Sequence, residues 1–155
     1  MSVKPIPDGY HTVTPYLVVK GGASALDFYK KAFGATELFR MPTPDGRVGH
    51  AEIRIGDSHV MLADECPEMG ALAPRAGAKP SVTFYLYVEN VDAFVDRAVT
   101  AGAKITRPLA NQFYGDRTAG LECPYGHSWY VATHVEDVPP DELARRAQEA
   151  MKQKK

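Results

Sequence analysis

TPYLVV (residues 14–19) and TFYLYV (residues 83–88) are nearly the same phrase written twice, 69 residues apart. The residues after each copy repeat too. After the first come Gly21-Gly22 and a run in which Ala25, Leu26, Phe28, Tyr29, Ala32 and Phe33 recur at helical spacing, closed by Gly34-Ala35. After the second, Ala93, Phe94, Val95, Ala98 and Val99 form a helical run closed by Gly102-Ala103, with Gly34 and Gly102 lying 68 residues apart. Ser24 and Asp92 are the expected N-caps, being short side chains that accept from free backbone N–H groups. Three strand-like segments come next in each half. Residues 37–41 parallel 104–109, 49–55 parallel 117–123, and 59–64 parallel 128–133. Each half therefore reads β-α-β-β-β, and an internal repeat of this length defines the architecture. The expected class is α+β, with two tandem β-α-β-β-β modules.

The expected boundaries are 1–63 for the first module and 81–135 for the second. Residues 64–80, DECPEMGALAPRAGAKP, are rich in Pro, Gly and Ala, show no period, and read as a long connection. Residues 136–155 read as a helical tail opened by Pro139-Pro140 with acids in its first turn. The first strand is expected from His11 to Lys20, with Pro15 confining it to an edge or a strand start.

Composition narrows the function classes. A chain of 155 residues with net charge -1 has no basic stripe for nucleic acid outside the short tail Lys152, Lys154 and Lys155. No apolar run approaches the ~20 residues of a membrane helix. The N-terminus has no apolar signal segment, and two cysteines, Cys66 and Cys123, suit a reducing compartment better than a disulfide framework. A cytoplasmic protein that binds neither nucleic acid nor membrane is expected.

Alternation along the strands separates the apolar residues from the chemistry. In GHAEIRIG, residues 49–56, Ala51, Ile53 and Ile55 face one way and His50, Glu52 and Arg54 the other. In YGDRTAGLECPYGHSWYVATH, residues 114–134, a Pro-Gly turn leads into a strand that puts Trp129 and Val131 on one face and Tyr130 on the other. Tyr16, Tyr85 and Tyr87 fall on the same side as these polar positions. The expected core is Leu17, Val19, Phe28, Ile53, Leu62, Leu86, Val88, Phe94, Leu121 and Val131.

Two such modules, with FYKKAFGA ending the first helix and PYGHSW turning into the last strand, resemble the glyoxalase/bleomycin resistance/dioxygenase (vicinal oxygen chelate) superfamily. FYGDR, PYGHSWYVATH and THVEDVPPDEL resemble its PhnB-like branch. The resemblance implies curved sheets around a cup, helices on the outside, a homodimer and a small-molecule ligand. It also implies, for the enzymes of the group, a divalent metal held by His, Gln or Glu on the first and last strands of each half. The matching positions here are Thr14, Met61, Thr83 and Tyr130, and none is a good ligand. No metal and no cofactor is expected on that count, and no catalytic residue is assigned.

The cup is expected to be lined by Thr14, Tyr16, His50, Glu52, Arg54, Met61, Thr83, Tyr85, Tyr87, Arg117 and Tyr130. Aromatic walls with a few polar tips suit a small-molecule site. His50, Glu52 and Arg54 also offer an acid/base group beside a cation, which leaves a metal-free enzyme open. A metal-dependent lyase, isomerase or dioxygenase stays open as well; a His-x-Glu pair at 50 and 52 then needs a third ligand from His59 or His134. Asp116 and Arg117 are placed in a loop at the cup's mouth, in a local salt bridge or in contact with ligand. His127 is expected to fix the 123–127 turn.

Overall fold

The computed structural model describes residues 2–153; Lys154 and Lys155 of the basic tail lie outside them. The elements run β1 (Tyr16–Val19), α1 (Gly22–Phe33), β2 (Thr36–Pro42), β3 (Val48–Ile55), β4 (Ser58–Asp64), β5 (Thr83–Tyr87), α2 (Val91–Thr100), β6 (Lys104–Asn111), β7 (Asp116–Glu122), β8 (Ser128–His134) and α3 (Pro140–Lys152). They form two four-stranded sheets, ordered β1-β4-β3-β2 and β5-β8-β7-β6. In each, the first strand pairs parallel with the last and the other pairs are antiparallel. Tyr16 opposes Met61 as Tyr85 opposes Tyr130, so the repeat holds to the level of individual residue pairs.

One continuous core joins the halves. Leu17, Val19, Ile53 and Leu62 of the first sheet, and Leu121, Trp129 and Val131 of the second, lie against α1 and α2, which also pack on each other. Leu86, Val88 and Phe94 are only partly buried at its margin. Trp129 sits at the junction. Its ring is 4.8 Å from Phe84, 5.1 Å from Phe33 and 5.6 Å from Tyr29, centroid to centroid, so strands of one half meet the helix of the other through it. His127 adds a polar tie, the Nε2 of its half-buried ring lying 3.1 Å from the Val18 carbonyl of β1. The turn itself is closed by the backbone, Gly126 N–H donating to Cys123 and Cys123 N–H to His127, so the ring secures the junction rather than the turn.

Both helix starts differ from expectation. Ser24 lies inside α1 and donates to the Gly21 carbonyl, while the Asp64 carboxylate at the end of β4 accepts from Gly21 N, Gly22 N and Val48 N at 2.8–2.9 Å. A charged acceptor arriving from a neighbouring strand satisfies more free donors than a local hydroxyl can. Asn90, not Asp92, caps α2 by accepting from Ala93 N, and Thr133 of β8 accepts from Val91 N. Asp64 and Thr133 are therefore the same structural device in the two halves, built from different chemistry.

The first strand is also shorter than expected. Residues 11–15 lie outside the strand, and residues 5–14 form an arm that crosses the first sheet. Pro5, Pro7 and Pro15 each lack a ladder donor, and Met61 N reaches only the Pro15 carbonyl before regular pairing begins. No described helix is long and apolar enough to cross a membrane.

Candidate functional site

The helices cover one face of each sheet, and most of the expected site residues stand on the other. On the first sheet a chain of hydrogen bonds links three of them, with Tyr10 of the arm as a fourth member. The Tyr16 hydroxyl lies 2.9 Å from His50 Nδ1, and His50 Nε2 lies 3.1 Å from Glu52 Oε1. The Tyr10 hydroxyl, from the arm, donates to the other oxygen of Glu52. The Tyr10 ring meets His59 edge-on at 4.3 Å. Beneath the arm is a hollow of about 530 Å³, walled by Pro5, Ile6, Pro7 and Tyr10 and floored by Glu52 and Met61. Among the described residues, the buried Nδ1 of His59 has no hydrogen-bond partner.

Glu52 is the electrostatic centre of this cluster. The hydrogen bonds from Tyr10 and His50 hold its carboxyl below the usual range, so it is an anion at neutral pH. The bond to Glu52 pushes the Tyr10 phenol up to about 12. Burial, and then the Glu52 charge, raise Tyr16. The arrangement is a largely apolar hollow with one fixed negative charge and the Tyr10 phenol at its lining, fitted to a guest that carries a donor or a positive charge beside an apolar body.

The second sheet carries a separate cluster. Asp116, the first residue of β7, is only 4% exposed. Its carboxylate accepts from Tyr85 at 3.0 Å, from Tyr87 at 2.9 Å and from His134 Nδ1 at 2.8 Å. His134 Nε2 lies 2.8 Å from Asp137 on the connector to α3. Beside them, the Arg107 guanidinium stands 5.4 Å from the centre of the Tyr130 ring. Gly120 opposes both residues, and a Cβ there would run into Arg107 and Thr106, so its bareness lets the cation approach the ring. No hydrogen bond or ring contact joins this cluster to the first among the described residues.

Burial pushes Asp116 up, but the bonds from His134, Tyr87 and Tyr85 outweigh it and hold the carboxyl below its usual value of 3.8. The bonds to Asp116 and Asp137 raise His134 above 6.5. A lowered carboxyl stabilises the fold above its unfolded pKa, and that contribution is lost as pH falls through the folded value. A raised imidazole stabilises fully below its unfolded pKa and loses its contribution as pH rises through the folded value. The Asp116–His134 link is thus strongest between about pH 4 and pH 6.5. Urea unfolding of wild type and His134→Gln at a series of pH values should show the largest gap in that window, closing on both sides. A gap independent of pH rules the link out.

The remaining expected residues fall at the edges of these clusters or outside them. Thr14 is on the arm, its hydroxyl donating to the His11 carbonyl, and Thr83 donates to Ser128 at 3.2 Å. Arg54 lies on the Glu52 face without a carboxylate partner among the described residues. Arg117 is corrected. It lies in β7, not in a mouth loop, and alternation turns it to the helix side, where it grips Asp92 with two bonds of 2.8 Å. The four positions where the metal ligands were sought hold two hydroxyls, a thioether and a phenol. Among the described residues no group of three or more His, Cys, Asp or Glu is placed to hold a metal ion. The donor set does not fit a divalent ion.

Tyr10 and Arg107 are the contributors absent from the expected cup; Asp116, expected beside Arg117 in a mouth loop, instead opens β7 and anchors the second cluster. Tyr10 carried no signal, because it lies before any periodic segment. Asp116 opens its strand, and one step of alternation separates it from Arg117.

A family model described as the Glyoxalase/Bleomycin resistance protein/Dioxygenase superfamily matches residues 10–131. An uncharacterized protein of Mycobacterium bovis is 42% identical over 134 residues, spanning 84% of this chain and 88% of its own length. Among solved structures, TioX from Micromonospora sp. ML1 superposes with a TM-score of 0.65 at 26% identity, over 81% of this chain and 99% of that one. A PhnB protein from Bacillus cereus, at 19% identity and a TM-score of 0.61, shares the fold over 79% of this chain and 99% of its own.

Proposed function

The chain belongs to the glyoxalase/bleomycin resistance protein/dioxygenase superfamily, and from that premise we propose that it binds a small molecule, without a metal ion, on the polar faces of its sheets. The observation that carries this is the hollow over Glu52, closed on one side by Tyr10. Its volume of about 530 Å³ falls within the usual range for small-molecule sites. Tyr85, Tyr87 and Tyr130 offer an aromatic wall on the second sheet. The phrases FYGDR and PYGHSWYVATH support a PhnB-like branch, and the free thiols Cys66 and Cys123 support a cytoplasmic setting.

The same reading includes a homodimer. Leu38, Phe39 and Met41 on β2 and Ile105 on β6 are 42–52% exposed, an apolar surface on strands at sheet edges that a second copy would cover. Light scattering at micromolar concentration should give the mass of a homodimer.

A second class has one observation in its favour. The ordered chain Tyr16–His50–Glu52 is the arrangement of a phenol relayed through an imidazole to a carboxylate, which suits metal-free acid/base work. A cationic aromatic library, screened by calorimetry and by turnover, separates the two. Binding without turnover, weakened about tenfold by Glu52→Gln, is expected. Turnover abolished by His50→Gln moves the assignment to an enzyme. Stoichiometric Zn, Mn, Fe or Ni in protein purified without chelator, in place of the expected less than about one tenth of an ion per chain, overturns the metal-free binder.

A further inference from the structure

Away from both polar faces, the 64–80 connection builds a cleft of its own. Its wall is residues 73–79, and its opposite side is the Pro124-Tyr125-Gly126 turn together with the paired positions Lys104 and Glu122. The volume is about 550 Å³. The wall is anchored at its first residue, where Ala73 N–H donates to Glu65 Oε2 at 3.2 Å, and folds back through an Arg75–Ala78 turn in which Ala78 N–H donates to the Arg75 carbonyl. Pro74 packs on the backbone of Gly126, which holds wall and turn together. The Tyr125 hydroxyl donates to Ser24 at 3.0 Å, fixing that ring in the side of the cleft.

The charge of the lining is one-sided. Lys20, Arg75, Lys79 and Lys104 face a single carboxylate, Glu122, in a chain whose net charge is -1. Lys20 is taken up by Glu65 at 3.6 Å. Arg75, Lys79 and Lys104 have no carboxylate partner among the described residues. Most arginines elsewhere are spoken for: Arg40, Arg47, Arg117, Arg145 and Arg146 each grip an acid at 2.6–2.8 Å. Three unmatched cations around one concavity repel one another, and an anion with charge on several oxygens relieves that repulsion. Apolar walls from Pro74, Pro124 and Tyr125 add room for an organic body beside the charge.

We propose that the cleft between residues 73–79 and the 124–126 turn is a second binding site, selective for a small organic molecule bearing a phosphate ester or an equivalent dianion, held by Arg75, Lys79 and Lys104. It is independent of the site over Glu52. The ligand enters by the open side of the cleft, and its charge is met by side chains alone.

The test is calorimetry on the full chain with p-nitrophenyl phosphate as the probe, p-nitrophenol as its neutral counterpart and inorganic phosphate as the bare anion. Saturable binding of p-nitrophenyl phosphate is expected, with no binding of p-nitrophenol and weaker binding of phosphate. Lys79→Glu with Lys104→Glu should weaken it at least about tenfold, and Lys31→Glu, outside the cleft, should leave it unchanged. Amide shifts on titration should centre on residues 20, 73–79, 104 and 125–126. Glu52→Gln should not alter them, which keeps this site apart from the first. No saturable binding, binding indifferent to the double reversal, or binding seen only with a long polyanion such as heparin overturns the proposal.

Discussion

Trp129→Ala should unfold this protein about 10 °C below wild type, a loss of about 4 kcal/mol, in a thermal melt followed by circular dichroism. Trp129 is 1% exposed and touches Phe84 on its own sheet and both Tyr29 and Phe33 on the helix of the other half. Truncation leaves a cavity where the two modules meet, and neither module can close it alone, because the ring is shared. Trp129→Phe keeps most of the apolar volume and should cost clearly less. If both variants melt together with wild type, the shared core is not where the stability lies.

The second large effect is at Gly115. Its φ is 98°, and a Cβ built on it would overlap the Glu136 carbonyl. Its own carbonyl accepts from Val135 N and Glu136 N at 2.9 and 3.0 Å. This glycine is the point where the C-terminal connector lies flat on the loop before β7. Gly115→Ala combines a strained backbone with that collision, and about 3 kcal/mol of destabilisation is expected. The chain can relieve the collision by letting residues 135–152 lift away. Trypsin should then cut at Arg145 and Arg146 many times faster than in wild type, while the two sheets still resist. Wild-type cleavage rates with a wild-type melting point would contradict the contact.

Much of this fold was legible because the sequence repeats at a nearly constant offset. Glu37–Met41, His50-Glu52-Arg54 and Ser128–Thr133 needed only alternation, and alternation is local. The failures share a cause. Asp64 caps α1 from 42 residues away, and no window around Ser24 contains it. Asn90 is the cap because α2 starts at Val91, and Asp92, inside the first turn, is held instead by Arg117, 25 residues on. The same Asp92–Arg117 contact holds Arg117 on the helix side, where alternation puts it, and so away from the cup. Tyr10 was invisible because it acts from a segment with no periodic structure, through a bond to Glu52 on a strand it never pairs with. The site's strand residues could be placed on a face from sequence, but their partners depended on contacts between distant segments.

The arm over the first sheet has a consequence in time. It is tied down by a few side-chain contacts, among them the phenol of Tyr10 on Glu52, and by no strand pairing. Small ties of this kind open far more often than the sheet beneath them. For a guest seated under the arm, the side of the hollow that Tyr10 closes becomes a path of entry and exit only in those openings, while the open side stays available throughout. Tyr10→Phe, which removes one tie and leaves the ring on His59, speeds both arrival and departure and changes the equilibrium constant much less than either rate.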